Sequence, residues 1–154
     1  MNIKTILSAS AEFRKIEAAA REGAPIAVCG TADAQKAHMI SSLVGGGRAL
    51  VVTYNEQAAK RLSNDLSFFM PSKIVYIPPK PFLLHKVEAA DREQENTRAS
   101  AVKAMDEGAT GVLSIESLLQ YVPEAKDFRS LSMRLSVGET LNLDRFIRQL
   151  TATG

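Results

Sequence analysis

The stretch Gly30-Thr31-Ala32-Asp33-Ala34-Gln35-Lys36-Ala37 carries the most specific chemical hint in the chain. It follows a short apolar run, PIAVC, and opens a helix-like segment. In that context Gly30 and Lys36 stand at the spacing of a phosphate-binding loop, G-x-x-x-x-G-K-[ST]. In a working loop the glycines let backbone N–H groups curl around phosphate, the lysine meets the outer phosphates, and the hydroxyl binds Mg²⁺. Here Gln35 puts a Cβ where glycine freedom is needed. Ala37 removes the metal hydroxyl, and Asp33 sets a carboxylate beside the phosphate position. Two like charges 4 Å apart repel by about 4 kcal/mol at an effective dielectric near 20. All three changes oppose nucleotide. Gly30, Thr31, Asp33, Gln35, Lys36 and Ala37 therefore read as a vestigial loop: no cofactor, no metal and no catalytic residue is expected. A divergent loop that still binds nucleotide stays open as the alternative.

Other chemistry-bearing residues have simpler explanations. VLSIE imitates a metal-binding strand ending at Glu116, but Ser114 interrupts it and an acid that opens a helix is favoured there by the dipole. His38 and His85 lack neighbours at ligand spacing. Glu88, Asp91, Glu93 and Glu95, with Arg92 and Arg98, read as a solvated helix face, Glu88 and Arg92 forming an i,i+4 pair. GGGR at 45–48 reads as a helix stop. Arg129, Arg134, Arg145 and Arg148 form no basic stripe. Cys29, the single cysteine, reads as a buried structural thiol, and one cysteine rules out an internal disulfide framework.

The elements that must hold the loop follow from periodicity. Residues 9–22 carry Phe13, Ile16, Ala19 and Ala20 at helical spacing, with Ser10 as cap and Gly23 as stop. PIAVCG suits a first buried parallel strand. Helices are predicted at 34–44, from Asn55 to Pro71, at 89–107 with a thin apolar seam of Val102 and Met105, and over ESLLQYV. Strands are predicted at ALVVT, KIVYI and GATGVLSI. This alternation of strand and helix predicts a doubly wound parallel α/β sheet. After Pro123 the pattern changes: SLSMRLSVG alternates like a half-exposed strand, and NLDRFIRQLTATG is an amphipathic helix. The chain looks like a fragment that stops inside a second domain.

Bulk properties set limits. The 154 residues are 45% apolar and 23% charged, with 19 bases against 17 acids and a net charge of +2. A chain this long folds without staples. The near-neutral balance gives no argument for a nucleic-acid or membrane surface, and without tryptophan a base-stacking platform is poorly supplied. The first residues do not make a secretory signal, and no run reaches membrane-spanning length. A cytoplasmic protein with no membrane partner is expected.

Three stretches, taken in order, resemble a known family. VVTYNEQAAKRLSNDLSFFMP is similar to the second strand and helix of UvrB-type excision-repair proteins, on Asn55, Ala58, Ala59, Leu62, Phe68, Phe69 and Pro71. IPPKPFLLHKVEAADREQENTRA resembles its counterpart in the bacterial transcription-repair coupling factors, the Mfd family, on Pro78, Phe82, Val87, Ala89, Arg92, Glu93 and Arg98. SIESLLQYVPE resembles the Mfd segment with Leu118, Leu119 and Gln120 before Pro123. UvrB itself keeps an intact P-loop and a long aromatic hairpin, and this chain has neither. The resemblance spans about residues 5–154. It implies a P-loop-type fold with a degenerate P-loop over 1–123, and over 124–154 the truncated opening strand and helix of an inserted UvrA-docking domain. It implies a non-catalytic scaffold that helps recruit UvrA to stalled RNA polymerase for nucleotide excision repair. Polymerase and DNA would be met by domains absent here, and other domains of the parent would pack on this one. The UvrA-contact residues would fall beyond Gly154. A divergent P-loop ATPase or a UvrB-like helicase fragment is the alternative.

Overall fold

Local signals at the helix ends decide where the helices begin and stop. The computed structural model describes residues 3–45, 47–71, 74–80 and 88–120, then 122, 124, 126, 129, 135–138 and 140–153. Helix α1 is Ile3–Ser8 and α2 is Ala11–Arg21. The Ser10 side chain accepts a hydrogen bond from the Phe13 N–H and so satisfies one of the orphan donors of α2. Gly23, at φ 72°, ends that helix, with the Ala24 N–H returning to the Ala19 carbonyl. Helix α3 is Asp33–Val44, strand β1 is Leu50–Thr53, and helix α4 is Glu56–Phe69. Asn55 caps α4 by accepting from the Ala58 N–H at 2.8 Å. Strand β2 is Ile74–Ile77, helix α5 is Glu88–Asp106, strand β3 is Thr110–Ser114, and the one-turn helix α6 is Ile115–Leu118. Helix α7, Leu143–Thr153, belongs to a second unit.

The described strands form a three-stranded parallel sheet in the order β1-β3-β2. Val52 stands opposite Leu113, and Ile77 opposite Leu113 on the other side. The central strand β3 is buried along its whole length, as a strand covered on both faces must be. Its alternation sends neighbours to different cores. Val112 joins Ala37, Ala59 and Leu66, so α3 and α4 cover one face. Leu113 joins Ile77 and Ala101, so α5 covers the other. The chain is thus a mixed α/β protein with helices on both faces of a small parallel sheet. Full burial of Leu66 alone is worth roughly 1.5–3 kcal/mol. At Gly111 an added Cβ would overlap the Met105 sulfur, so glycine is what leaves room for the Met105 side chain as it now lies between α5 and β3.

Two expectations are corrected here. The run PIAVCG forms no strand: residues 24–29 pair with nothing in the sheet, and Ile26 and Val28 are 40% and 37% exposed. An apolar run supplies the wish to be buried. A strand also needs a ladder partner, and none among the described residues faces this run. Cys29 shares its fate and is exposed rather than buried. The same shortage shows at β1, whose outer edge receives no backbone hydrogen bond among the described residues. Helix α5 spans β2 and β3 only, so Leu50 and Val52 on its face remain 48% and 43% exposed.

The chain divides into two compact units, Met1–Gln120 and Tyr121–Gly154. In the second, Leu143, Ile147 and Leu150 form an exposed apolar stripe along α7. The strand predicted over SLSMRLSVG falls mostly outside the described residues; Leu135–Gly138 carries none. Among the described residues no helix is long and apolar enough to cross a membrane.

Candidate functional site

The loop at 30–37 is tied to itself. Gly30 takes φ 79°, a conformation that favours glycine, and Ala32 leads extended into α3. The Lys36 ammonium donates to the Asp33 carboxylate at 2.6 Å, one turn back on the same helix. That hydrogen bond, more than any other influence, holds the Asp33 carboxyl below its ordinary range, with the charges of Lys36 and Arg61 adding to it. The same bond raises Lys36. Gln35 reaches back so that its amide oxygen accepts from the Ala32 N–H at 3.4 Å. This is the reciprocal half of a capping box; Ala32 has no side-chain oxygen to supply the other half. Ala37 is 1% exposed and sits in the core with Ala59, Leu66 and Val112. The position that a metal-binding hydroxyl would take therefore points into apolar packing. The lysine, the amide and the helix face are all engaged within the protein.

Beside this loop a cavity of about 390 Å³ opens between α3 and α4 at the carboxyl end of β1. Met39, Ile40, Val51 and Leu62 supply apolar lining, and Asp33, Lys36, Arg61 and Asp65 the charged part. Tyr54, directly after β1, is also on the cavity wall and is 81% exposed. The sequence reading missed Tyr54 and Arg61. The signal available was the polar turn Tyr54-Asn55 placed at a strand's carboxyl end, where open α/β sheets hold ligands.

A second polar cluster joins α4 to β2. Tyr76 donates its hydroxyl proton to Glu56 at 3.1 Å, Lys60 pairs with Glu56 at 2.7 Å, and the Lys60 ammonium lies 5.8 Å from the Tyr76 ring centre. Burial first, then the Glu56 carboxylate, pushes the Tyr76 hydroxyl well above its ordinary value. Lys60 in turn lowers Glu56.

Arg98 is the other cation that sequence reading misplaced. It was read as part of a solvated helix face, yet it is 5% exposed. Its guanidinium donates to the Pro78 carbonyl at 2.8 Å, the Ser117 hydroxyl at 2.6 Å and the Ser117 carbonyl at 3.1 Å. Burial lowers its pKa. It ties α5 to the carboxyl ends of β2 and β3. The signal was its spacing: Arg98, Ala101 and Met105 fall at i, i+3 and i+7 on the seam of α5.

The remaining candidates stay apart. Glu116 is exposed in the first turn of α6, which Ser114 caps. His38 is half-buried and stacks on Phe69 at 5.2 Å. Glu93 is exposed, and Glu95 meets Lys80 at 3.9 Å in the open. His85 and Arg134, and the side chains of Glu88, Asp91, Arg92 and Arg145, lie outside the described residues, whereas Arg48, Arg129 and Arg148 are exposed. Among the described residues no three His, Cys, Asp or Glu side chains gather at metal-binding distance.

Comparison with known proteins adds one relative. No protein-family model matches the chain. A transcription-repair-coupling factor from Myxococcus xanthus is 26% identical over 154 aligned residues, covering 92% of this chain. The likeness is distant, and it is to a repair-coupling factor. The chain spans about 13% of that protein's length.

Proposed function

We propose that this chain is the catalytically silent N-terminal module of an Mfd-type transcription-repair coupling factor, a P-loop-type domain whose loop has degenerated. Its work is scaffolding. Within a longer parent it carries the start of a UvrA-docking domain from about residue 124, packs against other domains, and helps bring UvrA to stalled RNA polymerase in the cytoplasm. Polymerase and DNA are met elsewhere in that parent, and no bond is made or broken by this module. The observation that carries the reading is the alignment with the Myxococcus factor along 92% of the chain. The loop supports the silent part: Lys36 is held by Asp33, and the position after it faces the core.

The rival is a divergent P-loop ATPase or a UvrB-like helicase fragment. A calorimetric titration with Mg-ATP separates the two. No heat of binding at millimolar nucleotide is expected. Sub-millimolar binding that vanishes in Lys36→Ala establishes the rival. For recruitment, a pull-down with purified UvrA compares this chain with a longer one that continues past residue 154. Retention by the longer chain and weak or no retention by this one is expected, and failure of both overturns the docking role.

A further inference from the structure

We propose that the cavity between α3 and α4 is a binding site for a small aromatic monoanion, with an aryl carboxylate as the simplest member of the class. The proposal does not rest on the repair-coupling reading. Position favours it, because the cavity lies at the carboxyl end of a parallel strand, where open α/β sheets leave a crevice. Size favours it: about 390 Å³ lies within the range of small-molecule pockets, roughly 300–1,000 Å³. The lining sorts by chemistry. Met39 and Ile40 from α3, Val51 from β1 and Leu62 from α4 give an apolar bed, and a thioether packs well against a ring.

The polar groups argue for the anion. Lys36 on α3 and Arg61 on α4 both line the cavity, so two helices each bring a cation to it beside Asp33. Lys36 is bonded to that acid, while Arg61 makes no ion pair or hydrogen bond among the described residues. Its guanidinium carries five N–H donors in a fork that fits a carboxylate in a bidentate way. A cationic ligand would have to displace Lys36 from Asp33; an anionic one takes donors that stand ready. Asp65 keeps the lining as a whole neutral, so selectivity comes from the donors and not from a general positive field. A triphosphate is a poor fit, since Asp33 and Asp65 line the same cavity and Lys36 is already bonded to Asp33. Tyr54, exposed on the cavity wall, adds a ring for an aromatic ligand to pack against.

Titration of the chain with indole-3-propionate, followed through backbone amide resonances, tests this. Saturable shifts are expected at Ile40, Val51, Tyr54, Ala58 and Leu62. Arg61→Gln is expected to weaken binding about fivefold, the size of one exposed charge contact. The neutral analogue indole-3-propionamide is expected to bind the unaltered protein about fivefold more weakly than the acid. Equal binding of acid and amide overturns the anion assignment and needs no variant. Shifts confined to Leu50 and Ile115, or the absence of saturable shifts, overturn the site.

Discussion

Two cations in the first unit have opposite lives. Lys36 stands in water on the first turn of α3, with a full carboxylate at 2.6 Å. Arg98 is buried on α5 and holds no carboxylate among the described residues, only two carbonyls and a hydroxyl. The one with the ideal partner contributes little, because water screens an exposed pair and both side chains lose freedom to make it. The one with neutral partners fixes the architecture, because its donors satisfy acceptors that folding has already taken from water. Position in the solvent gradient, more than the charge of the partner, decides what a cation does for this fold.

Substitutions can break that contrast. The largest effect is expected at Arg98→Ala, which takes the shorter of two donors from each of the Pro78 and Ser117 carbonyls, leaving them the Ser117 hydroxyl and the Gln120 N–H, and frees α5 from the sheet ends. A loss of about 1–3 kcal/mol in unfolding free energy is expected, read as a lower urea midpoint at constant slope. Ser117→Ala removes only the hydroxyl from the same cluster and is expected to cost about 1 kcal/mol. If the two substitutions cost the same, the guanidinium is not the anchor.

The third effect is a pH dependence. The Tyr76 hydroxyl titrates higher in the folded protein than the ordinary tyrosine value near 10. The unfolded chain then releases this proton first as pH rises. The associated stability is whole below about pH 10 and is lost above it, as pH climbs toward the folded value. Tyr76→Phe is expected to flatten the alkaline limb of the stability curve, and an unchanged limb contradicts the burial of that hydroxyl. The smallest effect sharpens the comparison from the exposed side. Lys36→Ala and Asp33→Asn are expected to lower the urea midpoint only slightly at neutral pH, less than any substitution above. Asp33 titrates low in the folded state, so its contribution exists above the ordinary carboxylate range and fades as pH falls through its own lowered value. Asp33→Asn should therefore match the unaltered protein in acid and fall slightly below it at neutral pH.

What was legible in the amino-acid order is what depends on near neighbours. The caps at Ser10 and Asn55, the stop at Gly23 and the apolar stripe of α4 are each settled within one or two turns, and each is found as read. The three strands flanked by helices were legible for the same reason. The site was legible in its parts but not in its assembly. Gln35 and Ala37 stand out as departures from the phosphate-loop pattern. That Asp33 would bond Lys36 instead of merely repelling phosphate needed the helix in place. Long-range facts were not legible. The run at 24–29 has the composition of a buried strand, but composition does not supply a neighbour. Arg98 shows that a charged residue on a helix seam outweighs the polar character of the residues around it. Tyr54 and Arg61, distant from the loop in sequence, meet its flank only because β1 and α4 pack beside α3.

The close approach at Gly111 has a consequence for how this domain can drift. The Met105 sulfur fills the volume that any side chain at 111 would need. A bulkier residue at 111 asks the Met105 side chain to swing aside or to be replaced by a slimmer one. Among descendants of a common ancestor these two sites should change as a couple, and a collection of such sequences would carry that bookkeeping in its columns.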